Sequence, residues 1–430
     1  MASFKPVQAV SVEIWGKKVG AVALNPDSGF YAFEYEPAFL RTGIELAPLQ
    51  MPLAQGTEPF EFLNLPVETF QRLPALIADA LPDKFGNALI NAWMADRGMG
   101  SASVTALDRL AYMGQRSMGA LTFKPSRGPS KTQPSALQMS HLVAQARSAI
   151  HGSFDRSDHA GEALRQIIQV GTSAGGARAK AAIAWNPHTQ EVRTGQFDIP
   201  EGFQAWLLKF DGIGADAQLG EGRNYGRIEY AYSLMAKAAG ITMSECHLLE
   251  EEGRAHFMTR RFDRSGNERH HMQTLCAMAH LDFNQIGAHS YHQLFQTARA
   301  LGLGRPALEE ILRRMVFNVL AANHDDHTKN FSFLLRQGHA WELAPAYDIT
   351  FAFNPGNKWL KQHLMSVNGK FEGITERDFR EVADRYELLG VCKDIVVGVR
   401  AAVAQWPGFA AEAGVPQALA EDIAQVFAVR

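Results

Sequence analysis

The stretch Asn323-His324-Asp325-Asp326-His327-Thr328-Lys329-Asn330, with Asp348 a further 18 residues along, decides how this chain is expected to fold. Upstream of it, Leu308, Ile311, Leu312, Met315, Val316, Val319 and Leu320 recur at the helical period, so a helix with one apolar face is predicted to run into a polar loop. Downstream, Phe331 to Leu335 reads as a strand, Arg336-Gln337-Gly338-His339 as a turn, and Ala340 to Ala344 as the returning strand. Antiparallel pairing of such a hairpin carries Asn330 back beside Pro345 to Asp348. Asp325, Asn330 and Asp348 are therefore expected to converge.

That trio suits one chemistry. Phosphoryl transfer needs a carboxylate to orient the attacking hydroxyl, and a carboxamide with a second carboxylate to hold magnesium against nucleotide phosphates. Protein kinases place four residues between the aspartate and the asparagine; Asp325 and Asn330 have that spacing and Asp326 does not. The plainer alternative is that Asp325 and Asp326 cap or solvate a helix-to-strand loop. Farther upstream, the glycine-rich run Val170-Gly171-Thr172-Ser173-Ala174-Gly175-Gly176-Ala177-Arg178-Ala179-Lys180 precedes an apolar strand, Ala181 to Trp185. A second strand, Ala205 to Phe210, carries Lys209. A kinase needs a backbone-rich loop over the phosphates and a strand lysine, in that order. The loop is not a Walker A, since Gly-x4-Gly-Lys-[Ser/Thr] is absent.

Single residues in this set keep alternatives. Lys209 also reads as an edge-strand charge. Glu229, on a helix predicted over Tyr225 to Ala239 and stopped by Gly240, is either a partner for Lys209 or a solvated helix charge. Lys329, if it faces the reacting groups, offsets charge on the transferring phosphoryl. His324 and His327 are expected to hydrogen-bond within the loop rather than to ligate zinc.

Composition narrows the rest. The 430 residues are 46% hydrophobic and 20% charged, ordinary globular material for two or three domains. Lys plus Arg number 42 against 45 Asp plus Glu, a net charge of -3, which argues against a surface built to neutralise nucleic-acid phosphates. Three scattered cysteines without a CxxC read as reduced thiols. Glu13, Lys17 and Lys18 interrupt the N-terminus before any signal-peptide core, and no run reaches the ~18 apolar residues of a spanning helix. A cytoplasmic chain with no membrane contact is expected.

The remaining pattern gives the outline. Val12 to Trp15, Val19 to Leu24 and Phe30 to Tyr35 read as a small antiparallel sheet, with a turn at Gly16-Lys17-Lys18. Two helices are predicted between Leu65 and Arg97, flanking Leu81-Pro82-Asp83, and a strand from His256 to Phe262. Pro125, Pro129 and Pro134 mark an exposed linker. The expected organisation is an N-terminal subdomain over 1–123, a linker over 124–140, an ATP-binding part over 141–265 and a helical catalytic lobe over 266–430. The fold class is α+β, a two-lobed protein-kinase-like fold with small β-sheets in the first lobe.

The Asn323 to Phe333 stretch, together with Leu343-Ala344-Pro345-Ala346-Tyr347-Asp348-Ile349, resembles the catalytic and magnesium segments of HipA-like serine/threonine kinase toxins. Gly171 to Arg178 resembles that family's phosphate loop, and Arg261-Phe262-Asp263-Arg264 its recurrent strand end. Leu81 to Gly86 and Leu110 to Leu121 are similar to its N-terminal subdomain, so the likeness runs from about Val10 to about Val403. The resemblance implies ATP and Mg2+ as cofactors, with Asp325 as the catalytic aspartate, Asn330 and Asp348 as magnesium ligands and Lys209 as the ATP lysine. It implies Gly175, Gly176, Ala177, Arg178 and Lys180 as phosphate loop, with Ser173 and Ala174 just before. It further implies inactivating autophosphorylation on Ser173, with Thr172 the weaker site; Ala179 departs from the proline of many relatives. A small helix-turn-helix antitoxin is the implied partner, carrying the chain to DNA only indirectly, and the implied substrate is a protein, in some relatives an aminoacyl-tRNA synthetase. Two rival readings are an antitoxin-bound corepressor with residual kinase activity, and a metal-dependent phosphohydrolase built on His324-Asp325, His280 or His289, and Asp348.

Overall fold

The computed structural model describes residues 5–82, 84–129, 178–212, 215–216, 220–221, 224–251 and 253–428. Taken over these residues, the chain forms two compact units, one of Met1–Gly214, Arg260–Gln273 and Leu334–His339, the other of Ala215–Thr259, Thr274–Phe333 and Ala340–Arg430. Both mix helices with small antiparallel sheets, so the α+β class is observed. Most of the linker expected over 124–140, and the phosphate loop through Ala177, lie outside the described residues.

In the first unit, β1 (Ala9–Ile14), β2 (Lys17–Leu24), β3 (Tyr31–Tyr35) and β4 (Thr122–Lys124) form a sheet in the order β3-β2-β1-β4. Alternation dictates it: Val10, Val12 and Ile14 are buried while Ser11 and Glu13 are not. The first hairpin is one residue earlier than expected. Trp15 is not the end of a strand but a turn residue, with φ 47 at Trp15 and φ 74 at Gly16, the twist that a two-residue hairpin demands. The indole Nε1 of Trp15 donates to the Arg269 carbonyl at 2.7 Å, which holds this uncommon backbone in place.

A second difference concerns Leu65 to Ala80. The single helix expected before Leu81 is two four-residue turns, Val67–Phe70 and Ala75–Ala78, because Gln71 and Arg72 adopt φ 51 and 64 ahead of Pro74. The helix after the break is present as Lys84–Ala95. A capping box opens helix Ala106–Met113: the Thr105 hydroxyl accepts from the Asp108 amide, and the Asp108 carboxylate accepts from the Thr105 amide. The buried Asp108 also accepts from the Val7 amide at 2.9 Å, tying the chain's beginning to that helix.

Three further strands, β5 (Lys180–Trp185), β6 (Val192–Thr194) and β7 (Gln204–Lys209), pair antiparallel through β5. Trp185 and Trp206 pack edge to face at 5.3 Å between ring centres. The Arg261 amide donates to Ala205, so the Arg261-Phe262-Asp263-Arg264 segment begins against β7.

In the second unit, helix Tyr225–Ala238 and a hairpin of Cys246–Glu251 with Arg254–Arg260 precede a helical body of Tyr291–Ala300, Arg305–Leu320, Glu376–Arg385, Leu389–Ala404, Trp406–Glu412 and Gln417–Ala428. The strand predicted over His256 to Phe262 thus starts and ends two residues early. Gly240 stops its helix with φ 80, as expected. Among the described residues no helix is long and apolar enough to cross a membrane.

Candidate active site

Helix Arg305–Leu320 supports the site. All seven apolar residues that predicted it are buried, and Pro306 sits in its first turn, where the missing N–H costs nothing. A line of polar side chains escaped the sequence reading: Glu310, Arg314 and Asn318, spaced i, i+4, i+8, are buried too. A polar series at helical spacing inside an apolar helix was the signal available. Glu310 accepts from the Thr242 amide at 3.0 Å and from Arg314 Nε at 2.8 Å, and Arg314 Nη2 donates to the Ala344 carbonyl at 3.0 Å. Burial lowers the Arg314 pKa, with Glu310 opposing that shift. This pair fastens the chain just before Asp348.

Beyond the helix, Ala322 takes φ 51 and the polar loop begins. Thr328 Oγ1 donates to Leu281 at 2.7 Å, Asn330 Nδ2 donates to the Asp325 carbonyl at 2.7 Å, and a single 3-10 turn, Thr328–Asn330, leads into strand Ser332–Leu335. The returning strand is Trp341–Leu343, and the Ala344 amide donates to Ser332 at 3.0 Å. Tyr347 then makes the decisive link: its hydroxyl donates to the Lys329 carbonyl at 2.7 Å and shares a short hydrogen bond with the Ser332 hydroxyl. Because Tyr347 precedes Asp348 and Lys329 precedes Asn330, Asp348 and Asn330 come to line one small recess, with Arg314, Asn318, Asn323 and Asp326; Asp325, expected to converge with them, is not in its lining. Asp348 itself has φ 52, a left-handed conformation that aspartate tolerates better than most residues.

Asp325 and Asp326 divide sharply. The Asp325 side chain is 45% exposed, with His327 Nε2 at 3.8 Å. Asp326 is 1% exposed, so the plainer alternative, that both merely solvate or cap the loop, does not hold for Asp326. Asn330 has its amide nitrogen committed to Asp325, and its oxygen end remains for a cation. Asn330 and Asp348 together offer hard oxygen donors of the kind Mg2+ takes beside phosphate and water oxygens, so the residues present fit that ion. The Lys329 ammonium lies 4.5 Å from the Phe283 ring centre, and Phe283 in turn packs on His327 at 5.4 Å. His324 Nδ1 bonds to the Leu360 carbonyl at 3.0 Å, and its ring packs 4.2 Å from His363. Among the described residues no group of three or more His, Cys, Asp or Glu is placed to hold a metal ion, which removes the cluster the phosphohydrolase reading needed.

In the first unit, Lys209 is 7% exposed and stands directly opposite Lys180 in the β5–β7 register. Cross-strand partners share a face, so two buried lysines lie side by side at one end of that sheet. An exposed edge charge is thereby excluded. Arg178 is half-buried just before β5. Glu229, on helix Tyr225–Ala238 of the second unit, is 1% exposed and is not a solvated helix charge. Ser173, Ala174, Gly175, Gly176 and Ala177 lie outside the described residues.

The Arg261 to Arg264 motif proves to be a fastening. Asp263, fully buried, accepts from Arg261 Nε and Nη2 at 3.0 and 2.8 Å, from Arg264 Nη1 at 2.7 Å and from the Gly119 amide at 2.7 Å. Arg269 donates to the carbonyls of Gln115, Ser117 and Gly119. Burial alone pushes the Asp263 carboxyl up, but Arg261, Arg264 and the Gly119 amide outweigh it and hold it well below the usual carboxylate range. Two stretches singled out in the sequence, 110–121 and 261–264, are thus halves of one ionic knot.

A mixed α+β chain in which an Asp-x4-Asn loop is stapled to a second aspartate has the kinase-like class of fold. Family models match it twice: the HipA N-terminal domain over residues 10–124 and the HipA-like C-terminal domain over residues 172–425. The chain belongs to the HipA-like family. Its structure resembles HipA from Shewanella oneidensis MR-1, solved as a complex of HipA, HipB and operator DNA, with a TM-score of 0.67 and 16% identity over 97% of this chain and 95% of that one. A proinflammatory kinase, CtkA, from Helicobacter pylori aligns at a TM-score of 0.31 and 12% identity over 48% of this chain and 93% of that one, too low to carry a fold assignment. No curated protein matches by sequence.

Proposed function

We propose that this chain is an ATP-dependent serine/threonine protein kinase and the toxin of a toxin–antitoxin pair. The observation that supports the reading is the Tyr347–Lys329 link: Asp348 and Asn330 line one recess, and Asn330 Nδ2 donates to the Asp325 carbonyl. When bound, Mg2+ neutralises charge on the nucleotide phosphates; Asn330 and Asp348 are the residues that hold it. Asp325, half-exposed at the loop's surface, orients the acceptor hydroxyl and takes its proton. A bond forms between that hydroxyl oxygen and the γ-phosphorus, the bond from the γ-phosphorus to the β–γ bridging oxygen breaks, and ADP leaves. Lys209 and Lys180, paired on one sheet face, supply cations for the nucleotide phosphates.

By family, the partner is a helix-turn-helix antitoxin resembling HipB, through which the chain reaches operator DNA, and the site of action is the cytoplasm. By family resemblance, a phosphate on Ser173 would add a dianion that repels nucleotide phosphates and so turn the enzyme off. Incubation with MgATP followed by mass mapping should find that phosphate within 171–180. The deciding experiment is Asp325→Ala: phosphoryl transfer should fall at least ~1000-fold with the thermal melt unchanged. Turnover at the wild-type rate would end the assignment.

A further inference from the structure

The geometry points to Asp326, neighbour of the proposed catalytic aspartate, as the positioning residue that holds Asp325 in register; this rests on the phosphoryl-transfer reading above. The Asp326 carboxylate accepts from Tyr291 Oη at 2.9 Å, from His363 Nδ1 at 2.9 Å, and from the Leu364 and Met365 amides at 2.8 and 3.4 Å. An ionised carboxylate only accepts, so His363 carries its proton on Nδ1. Behind Tyr291 the bonds continue in one direction: Asn318 Nδ2 donates to the Tyr291 hydroxyl and Asn323 Nδ2 donates to Asn318 Oδ1, each at 2.9 Å. Every member donates toward Asp326.

The network spans separate elements. Asn318 belongs to helix Arg305–Leu320, Tyr291 opens helix Tyr291–Ala300, and Asn323 and Asp326 lie on the loop itself. Met365, with Leu364 just before it, begins the short parallel pairing of Met365 and Ser366 with His289 and Ser290. A buried carboxylate is a costly way to fill space, and apolar side chains would pack as well. What a directional network converging on one carboxylate supplies is a single loop conformation. The peptide joining Asp325 to Asp326 is gripped from both sides, by Asn330 on the Asp325 carbonyl and by four donors on the Asp326 carboxylate. Asp325 is thereby left half-exposed at a fixed place. A displacement of about 1 Å in such a group costs about 100-fold in rate.

The test is steady-state turnover of MgATP, read as ADP formation with casein as acceptor, beside the affinity for the Mg2+ complex of a nonhydrolysable ATP analogue. Asp326→Asn keeps the shape but turns an N–H toward donors. It should lower kcat by about 30- to 100-fold and leave nucleotide affinity within about threefold. His363→Ala should lower kcat about tenfold, and His363→Asn, whose amide N–H reaches where Nδ1–H was, should recover to within about threefold of wild type. If Asp326→Asn does not fold, the His363 pair decides alone. Asp326→Asn turnover within threefold of wild type, or His363→Asn no better than His363→Ala, overturns the positioning role while leaving the kinase reading standing. Absence of phosphoryl transfer in the wild-type chain overturns both.

Discussion

Replacing Asp263 with Ala tests how much of the first unit depends on its ionic knot. The substitution strands the Arg261 guanidinium, whose side chain is 3% exposed, leaves Arg264, 10% exposed, with carbonyl acceptors but no counter-charge, and orphans the Gly119 amide. Breaking a buried pair from one side costs about 3–5 kcal/mol, and an unpaired buried amide about 1–3. Some of this is recovered as the arginines swing toward water, so a net loss of about 4 kcal/mol is expected, a large share of the ~5–15 that holds a domain folded. With two compact units a single melting curve mixes transitions. Hydrogen exchange resolved by peptide separates them. Peptides from β1, β2, 115–124 and β5 to β7 should lose about three decades of protection, at about 1.4 kcal/mol per decade, while those from helix Arg305–Leu320 keep theirs. A loss below about tenfold, or an equal loss in both units, would refute the knot's assigned role. Because the Asp263 pKa is depressed in the fold, its contribution should be present above the ordinary carboxylate value near 3.9 and vanish as pH falls below it.

Acid should weaken the same unit through His271. Burial lowers its pKa from 6.5 to about 4, so it folds neutral and takes up a proton on unfolding between those values. Stability at pH 5 should be about 2 kcal/mol below that at pH 8, from 1.5 pH units at about 1.36 kcal/mol each; His271→Gln should flatten that slope in urea titrations, and an unchanged slope would count against it. Tyr347→Phe removes the hydroxyl that joins Lys329 to Ser332, and should lower kcat about 3- to 10-fold and raise the Mg2+ needed for half-maximal turnover. Unaltered Mg2+ dependence would show that the link does not set the recess.

Much of the architecture was legible because it rests on periodicity. The helix under the site was visible from Leu308 to Leu320, and the hairpin after Asn330 from its turn residues, so the meeting of Asn330 and Asp348 followed from register alone. Where backbone conformation decided, sequence misled: Trp15 occupies a left-handed turn that a bulky residue rarely enters, and Gln71 and Arg72 break a helix that their neighbours' apolar spacing supports. Roles set by tertiary contact were illegible. Asp325 and Asp326 are chemically identical neighbours, and only Tyr291, His363 and the 364–365 amides, far away in sequence, distinguish them. Glu310, Arg314 and Asn318 went unread in the sequence and are buried connectors, bonded to residues far from them along the chain.

The most direct measurement is a crystal structure with Mg2+ and a nonhydrolysable ATP analogue. The account predicts the ion bound by Asn330 Oδ1 and an Asp348 carboxylate oxygen at about 2.1 Å, with the γ-phosphate facing Asp325 and Lys209 reaching the α- and β-phosphates. Nucleotide bound elsewhere, or the ion held without Asn330 and Asp348, would contradict it.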